Sequence, residues 1–262
     1  MLRYARLLGV EMRVSLALAA QYRADFVLEG VMSLFWLGWN IVPLMVVFGV
    51  RPTIAGWSFN EALIVMGWFT ILRSLLEAAI NPSLLAVVEH IRKGTLDFVL
   101  LKPADAQFLV STVRFELWPL LGVAGGAVLI GDAFVRLGQA PQALHVAVAA
   151  ALLLLAALVL YSVWILVISA AFWVVRLDNL AYLFNAIFDA ARWPSSVFRG
   201  FLRVVFTFVI PLAMMTTYPA EALLGRLRLQ AALGAGLGAL VFASLARLTW
   251  RRAIAHYTSA SS

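Results

Sequence analysis

Five ionisable residues interrupt the apolar stretches of this sequence and could do chemistry in a low-dielectric environment. They are Glu29, Arg73, Glu77, Asp189 and Arg192. A lone charge at the centre of a bilayer costs on the order of 3 kcal/mol, so such groups are expected to pair with each other or to face protein or water. The chemistry that they allow is the binding of a polar or cationic molecule.

Spacing along the chain divides four of these residues into two pairs. Arg73 and Glu77 lie four residues apart and would share one face of a helix. Asp189 and Arg192, three residues apart, would do the same. We interpret the Arg73–Glu77 pair as a structural salt bridge, in preference to a lining role. The residues predicted to line a substrate pathway are Glu29, Asp189 and Arg192.

Catalysis and metal binding have little support in the sequence. The three histidines, His90, His145 and His256, are far apart in the chain, and cysteine is absent. Intramembrane hydrolases and acyltransferases need clusters such as Ser with His or paired Asp, and no such motif can be recognised. We therefore expect no catalytic residue, no metal site and no cofactor bound by this chain.

The elements that would position these residues are membrane helices. Apolar residues fill 64% of the 262 positions, charged residues fill only 13%, and the mean hydropathy is +0.96. Long apolar runs without period-2 alternation favour helices over a β-barrel. The formal net charge of +7 is interpreted as topology signals and contacts with membrane lipids, and not as a nucleic-acid surface.

Six spans follow from the apolar runs and the turn residues between them. Residues 1–25, with scattered arginines, are predicted to form an interfacial helix along the membrane surface. The spans are predicted at residues 26–50, 61–80, 108–130, 143–175, 180–193 and 229–250. The predicted fold class is therefore all-α and integral to the membrane, with a single domain over residues 1–262.

The distribution of Lys and Arg predicts that both termini are cytoplasmic, in a multi-pass protein of the bacterial inner (plasma) membrane. With that orientation the two shorter outer loops carry only Arg51 and Arg136. Residues 194–228 break the pattern with four arginines, and Pro211 and Pro219 interrupt this region. We therefore predict that it dips into the membrane and returns as re-entrant helices.

A charged island at residues 83–105 separates the second and third predicted spans. Its sequence, SLLAVVEHIRKGTLDFVLLKPAD, follows Pro82, contains Gly94 and ends near Lys102 and Pro103. A short cytoplasmic helix followed by a glycine break would give a motor protein a rigid element to hold. From the residues alone, an ordinary basic loop is an equally good interpretation.

Two stretches of the sequence resemble one known family. EHIRKGTLDFVLLKPADAQF and FDAARWPSSVFRGFLRVVFTFVIPLAMMTTYPAEALLG are similar to the permease subunits of ABC-2 type ABC transporters. The closer resemblance is to the branch named after viologen export, formerly a domain of unknown function. It covers essentially the whole chain, although the fourth span is longer than the family pattern.

The resemblance implies both a fold and a mechanism. Members have six spans, an interfacial helix and re-entrant helices, which in this chain would be residues 196–208 and 211–224. A coupling helix between spans two and three, at residues 83–93, would dock on an ATPase subunit. The residues predicted to make that contact are Glu89, His90, Arg92 and Lys93. Such permeases work as dimers, so the resemblance implies a second permease subunit, identical or homologous.

The absence of a P-loop motif agrees with that implication. The stretch RKGT does not match G-x-x-x-x-G-K-[ST], so ATP and Mg²⁺ are expected on a separate ATPase dimer. The chain is predicted to be a non-enzymatic permease of an exporter that moves a hydrophobic, amphiphilic or cationic small molecule out of the cytoplasm. The alternatives are a lipid-translocating permease and a non-transporting membrane scaffold or sensor that binds a cytoplasmic partner.

Overall fold

The structure is a computed structural model that describes residues 2–21, 23–173 and 178–257. Within that part of the chain almost every element is helical. The α-helices are α1 (Leu2–Gln21), α2 (Arg23–Trp39), α3 (Val42–Val50), α4 (Phe59–Leu75), α5 (Asn81–Arg92), α6 (Asp97–Leu100), α7 (Ala106–Ser111), α8 (Leu121–Leu137), α9 (Ala143–Ser169), α10 (Asp178–Phe188), α11 (Gly200–Val204), α12 (Tyr218–Leu223) and α13 (Leu229–Ala255). Turns of π-helix occur at Leu76–Ile80, Val205–Val209 and Ala213–Thr217, and turns of 3₁₀-helix at Trp118–Leu120, Ala170–Phe172, Asp189–Arg192 and Ser195–Val197.

A short β-hairpin joins α3 to α4. Strands β1 (Thr53–Ile54) and β2 (Trp57–Ser58) pair antiparallel around a two-residue turn. Both turn residues, Ala55 and Gly56, have positive φ, which matches the right-handed twist of the strands. Ser58 then begins α4 with a capping box, because its hydroxyl accepts from the Glu61 N–H while the Glu61 carboxylate accepts from the Ser58 N–H.

Five helical stretches among the described residues are long and apolar enough to cross a membrane. They are Ala24–Val50, Phe59–Arg92, Trp118–Leu137, Ala143–Phe172 and Leu229–Ala255. The predicted all-α membrane class is confirmed. The second stretch runs without a break through α4, the π-helical turn and α5, and its 34 residues are about 50 Å long. Since the hydrocarbon layer is about 30 Å thick, part of this helix must project beyond it.

The prediction of a third span at residues 108–130 is wrong at its start. α7 ends at Ser111, residues 112–117 are not helical, and the apolar helix begins only at Trp118. Pro119 accounts for that start. Proline is tolerated in the first turn of a helix but disrupts the helix when it lies further along, so the helix begins just before it. The non-helical residues 112–117 become important for the functional site.

The predicted fifth span at residues 180–193 corresponds to a short helix. α10 has 11 residues, and the 3₁₀ turn after it ends at Arg192. Together they fall short of the roughly 20 residues that a straight crossing needs. The six-span layout therefore stays a prediction. Residues 174–177, into which the predicted fourth span extends, lie outside the described residues.

Contacts between segments that are distant in the chain define two opposite ends of the helix bundle. At the first, which we call the hairpin end, Arg226 pairs with Glu61 at the start of α4. At the second, the island end, the Asp105 N–H donates to the Tyr4 hydroxyl at 3.4 Å, and the Tyr4 ring packs edge-on against Phe108 with 4.7 Å between ring centres. α1 therefore contacts the charged island, while its position at the membrane surface stays a prediction.

The proline-interrupted segment between α10 and α13 leaves the hairpin end and returns to it. Near its start, the indole N–H of Trp57 donates to Ser196 Oγ at 3.1 Å, and at its end Arg226 is held at the start of α4. Between these points the segment enters the core, where the fully buried Thr216 hydroxyl donates to the Ala191 carbonyl at 2.8 Å. The re-entrant prediction requires such an out-and-back path, although the position of the segment in a membrane stays a prediction.

The close crossing of α4 and α8 forms the centre of the core. Every residue of α4 from Ala62 to Leu72 is buried. The two helices approach through Gly67 and Gly126, where a Cβ added to Gly126 would lie 2.5 Å from the Gly67 carbonyl oxygen. Small residues allow this approach, and it brings α8 and the preceding residues 116–120 beside the charged face of α4.

Candidate functional site

A cavity along α4 collects six charged side chains within the apolar bundle. It has a volume of about 630 Å³, in the range of small-molecule binding sites. Its walls come from α2, α4, the π-helical turn, residues 116–122 and the 3₁₀ turn after α10. The charged lining residues are Glu29, Arg73, Glu77, Glu116, Asp189 and Arg192.

Arg73 bridges two elements of the cavity wall. Its Nε donates to Glu77 Oε1 one turn along the helix at 2.5 Å, and its Nη1 pairs with Asp189 Oδ1 from the 3₁₀ turn after α10. The Arg73 side chain is 30% exposed, so the three groups are partly open to the cavity. Charge therefore holds α4 against the Asp189–Arg192 turn.

Arg192 extends this chain of charges. Its Nη2 lies 3.3 Å from Asp189 Oδ1, and its Nε donates to the Asp189 carbonyl oxygen at 2.9 Å. The guanidinium carbon also lies 5.3 Å from the centre of the Phe69 ring, a cation–π contact. Arg73 and Arg192 together balance the charges of Glu77 and Asp189.

Pro82 explains the local shape of the helix that carries Glu77. Proline lacks an N–H, and its ring clashes with the carbonyl four residues earlier, which belongs to Ala78. The helix widens into the π-helical turn at Leu76–Ile80, a conformation that is frequent at functional sites. The Ala78 carbonyl accepts instead from the backbone N–H of Glu116 at 2.8 Å, which fixes residues 112–117 beside the cavity.

Two carboxylates of the cavity are not balanced by Arg73 or Arg192. Glu116 Oε1 lies 3.8 Å from Arg114 Nη2, a loose contact. Burial raises the pKa of the Glu116 carboxyl, Arg114 opposes that rise, and the carboxylates of Glu29 and Glu77 add to it. Glu29 is exposed on α2, and within the described ranges no cation pairs with it.

The cavity is acidic overall and has aromatic walls. Four carboxylates and two guanidiniums line it, which leaves a formal net charge of −2. The aromatic lining residues are Trp36, Trp39, Phe69 and Trp118. An organic cation would gain both Coulomb attraction and cation–π contact in such a site. Across the part of the chain that the structure describes, no group of three or more His, Asp or Glu could hold a metal ion.

At the island end, α5 stops at a tight turn. Gly94 adopts φ +66°, and His90 Nδ1 lies 2.8 Å from Thr95 Oγ1 across that turn. Lys93 Nζ pairs with Glu89 Oε1 at 2.7 Å, with both side chains about two-thirds exposed. His90 therefore stabilises the turn, whereas the Glu89–Lys93 pair faces outward.

α6, directly after the turn, presents an apolar surface. Phe98 is 72% exposed and Leu101 is 80% exposed, while Leu96 and Val99 on the opposite side are buried. Lys102 is exposed next to them. Exposed large apolar side chains on an element outside the candidate spans are a feature of protein–protein and membrane contacts.

Comparison with known proteins identifies the family. The family model described as ABC-2 family transporter protein matches residues 34–261, which is most of the chain. The chain belongs to the ABC-2 family of transporter proteins. No curated protein and no solved structure showed significant similarity to the chain.

Family membership establishes the general role of this ABC-2 protein. It is a multi-pass membrane permease subunit of an ABC transporter, and the family implies an ABC ATPase subunit as its partner. The predicted resemblance to ABC-2 permeases is confirmed. The closer relation to the viologen-export branch stays a prediction.

The residues predicted to line a substrate pathway lie together in this ABC-2 permease. Glu29, Asp189 and Arg192 all line the cavity, although their sequence positions are far apart. Arg73 and Glu77 form the predicted salt bridge and line the same cavity. The Arg73–Glu77 pair is therefore both a structural ion pair and part of the cavity lining. The role of these residues in transport stays a prediction.

Sequence reasoning missed one of the charged cavity residues and the most exposed part of the island. Glu116 falls inside the wrongly placed third span, and the Trp-Pro step that follows it was the available signal for a later helix start. Among the predicted ATPase contacts, Glu89, Arg92 and Lys93 are exposed and His90 is half-buried. The apolar surface of α6 was not predicted at all, and the ATPase contacts themselves stay predictions.

Proposed function

We propose that this ABC-2 permease belongs to an ATP-driven exporter and that its substrate is an organic cation or a cationic amphiphile. The observation that carries the proposal is the cavity, with its formal charge of −2 and its aromatic walls among apolar helices. An anionic lipid would be repelled by this charge, and a neutral apolar molecule would gain nothing from it. Family membership supports the transport role.

ATP binding and hydrolysis would take place in the partner subunits. The chain has no G-x-x-x-x-G-K-[ST] motif to cradle phosphate, and its family implies an ABC ATPase. ATP and Mg²⁺ would therefore bind to an ATPase dimer at the cytoplasmic side. The ATPase would contact the projecting α5 and the exposed face of α6, so that closure of the dimer moves the island end.

The transporter would contain two permease subunits, each with six spans and cytoplasmic termini. The fifth crossing predicted at residues 180–193 is supported by the contact of Ser196, just after it, with Trp57 at the hairpin end. The return of Arg226 to the same end supports a re-entrant segment before α13. With this layout the island end faces the cytoplasm, which the ATPase contact requires.

Transport of a defined cation tests the proposed function. The permease would be coexpressed with the ABC ATPase encoded nearest to its gene, purified as a complex and placed in proteoliposomes. We expect copurification, ATP hydrolysis by the ATPase and ATP-dependent accumulation of tritiated tetraphenylphosphonium. Failure to copurify with any ATPase would favour the scaffold alternative, and flip of a labelled phospholipid without tetraphenylphosphonium transport would favour lipid translocation.

Neutralising Glu29 and Glu116 is expected to weaken cation transport selectively. In the Glu29→Gln/Glu116→Gln variant the cavity loses both carboxylates that Arg73 and Arg192 do not balance. We expect the apparent affinity for tetraphenylphosphonium to fall by about tenfold, which corresponds to about 1.4 kcal/mol. Asp132→Asn is the matched control, since Asp132 lies in α8 outside the cavity and pairs with Arg136. Equal affinities in the two variants would contradict the assigned substrate class.

Truncating the apolar surface of α6 is expected to weaken the contact with the ATPase. In Phe98→Ala/Leu101→Ala two exposed side chains that would be buried in the complex are lost. Since burying one such side chain is worth about 1.5–3 kcal/mol, the affinity for the ATPase should fall by at least about tenfold. Leu144→Ala, at an equally exposed position at the hairpin end, should have no effect in the same pull-down titration. Unchanged binding of the double variant would move the ATPase contact away from α6.

A further inference from the structure

A polar network at the island end joins α7 to two long helices. The network begins with Asp105, which caps α7 by accepting from the Phe108 N–H at 3.1 Å. The same carboxylate faces Arg247 of α13, with Nη2 to Oδ2 at 2.5 Å and Nη1 to Oδ1 at 3.2 Å. This two-pronged contact orients the guanidinium as well as attracting it. The hydrogen bond from Arg247 lowers the pKa of the Asp105 carboxyl, in agreement with a stable pair.

The network continues from α7 to α9. Arg247 Nη1 also donates to Gln107 Oε1 at 2.8 Å, and Gln107 Nε2 donates to the Tyr161 hydroxyl at 3.1 Å. The hydroxyls of Ser111 and Tyr161 lie 2.7 Å apart. Each polar side chain of the network therefore has at least one partner, which makes the cluster rigid. We call these five residues, Asp105, Gln107, Ser111, Tyr161 and Arg247, the inner latch.

The inner latch connects the island with the far end of the bundle through α13. Arg247 lies 18 residues from Leu229, a distance of about 27 Å along an unbroken helix. α13 begins three residues after Arg226, which is anchored at the hairpin end. It also contacts the segment between α10 and α13, because the Gly238 position lies next to Met214. A displacement of Arg247 along the helix axis would therefore reach both.

We propose that Arg247 is the positioning residue through which movement of the island displaces α13 and the proline-interrupted segment before it. The inference rests on the proposed function, in which the ATPase pushes on the island end. Residues 93–105 alone would transmit movement poorly, since the only helix between Gly94 and α7 is the four-residue α6. The inner latch passes their movement to the long helix α13. The cavity, open toward one end of the bundle before this movement, would then open toward the other end.

The absence of cysteine in the native chain allows a direct test with spin labels. Labels would be attached to Val128→Cys in α8 and Leu237→Cys in α13, two side chains that are exposed and outside the core. Labelled permease, diluted with unlabelled chain, would be purified in complex with the ATPase. The distance between the labels would be measured by pulsed electron resonance without nucleotide and after trapping with ATP and vanadate.

We expect trapping to change this distance by about 2 Å or more in the otherwise native complex, a typical size for a helix shift. Arg247→Gln should lose most of the change while ATP hydrolysis stays within about twofold, and Arg247→Lys, which keeps one prong of the contact, should retain part of it. Asp105→Asn breaks the charge pair from the other side and keeps a good capping residue for α7. Arg251→Gln, an exposed arginine one turn further along α13, is the matched control and should behave as the native chain.

The possible outcomes separate this inference from the proposed function. If no ATPase copurifies with the native chain, the proposed function fails, and the inner latch has no movement to transmit. If the complex forms but trapping leaves the distance between α8 and α13 unchanged, the inference alone fails. It also fails if Arg247→Gln and Asp105→Asn show the same change as the native chain.

Discussion

Gly126→Ala is expected to destabilise this permease by about 3 kcal/mol, because the added methyl group has no space at the crossing of α4 and α8. The new Cβ would lie 2.5 Å from the carbonyl oxygen of Gly67 and 2.7 Å from Ile71 Cγ1. A backbone carbonyl cannot rotate away as a flexible side chain can, so the two helices must separate. Their separation would also open the cavity wall at residues 116–122.

A matched substitution in the same helix isolates the effect of the crossing. Gly131 also lies in α8, but nothing is within 4 Å of a Cβ added there. Gly131→Ala should therefore be neutral or stabilising by up to about 1 kcal/mol, the intrinsic preference of a helix for alanine. Thermal unfolding of the purified chains in detergent measures both, and the midpoint should fall by roughly 6 °C only in Gly126→Ala. Equal midpoints would mean that α4 and α8 do not cross at these glycines.

Features that depend on neighbouring residues in the chain could be predicted from the sequence. The helical membrane class follows from the long apolar runs, and the end of α5 follows from Gly94, the residue that can adopt φ +66° without strain. The two charged pairs at spacings of four and three follow from helix geometry. Each of these predictions uses forces that act within one or two helical turns.

Features that depend on packing between distant segments could not be predicted in this way. The ion pair of Arg73 with Asp189 joins residues 116 positions apart, and nothing in the spacing of either pair indicates the other. The same is true of Glu116. It lies at the cavity because its backbone N–H donates a hydrogen bond to the Ala78 carbonyl oxygen, which has no N–H partner at Pro82. The sequence therefore indicated which residues were charged and costly, but not that they share one cavity.

The burial of individual side chains within the charged island could not be predicted from the sequence either. Polar and apolar residues do not alternate in the run LDFVLL, so its pattern does not distinguish buried from exposed side chains. A helix of four residues is also too short to define a face. Only the packing of Leu96 and Val99 into the core shows that Phe98 and Leu101 point outward. The charged residues of α5 therefore gave no indication of the apolar surface of α6.

Arg73→Met is expected to have the second large effect, because it removes the one cation shared by Glu77 and Asp189. Breaking a buried ion pair by removing one partner costs about 3–5 kcal/mol, and the 30% exposure of Arg73 reduces this to about 2 kcal/mol. Asp189 would keep Arg192, whereas Glu77 would be left without a cation within the described part of the chain. Arg136→Met, which breaks an exposed pair with Asp132 in α8, should change the unfolding midpoint very little.

A second substitution separates the structural role of Arg73 from a role in the cavity. Arg73→Met/Glu77→Gln removes the unpaired carboxylate together with the cation, so we expect most of the lost stability to return. Because one cation and one carboxylate are removed together, the formal net charge of the cavity stays at −2, and the affinity for tetraphenylphosphonium should return to within about twofold of the native value. Low affinity in a stable double variant would contradict the assignment of cation binding to Glu29 and Glu116 and would mean that Glu77 itself contacts the cation.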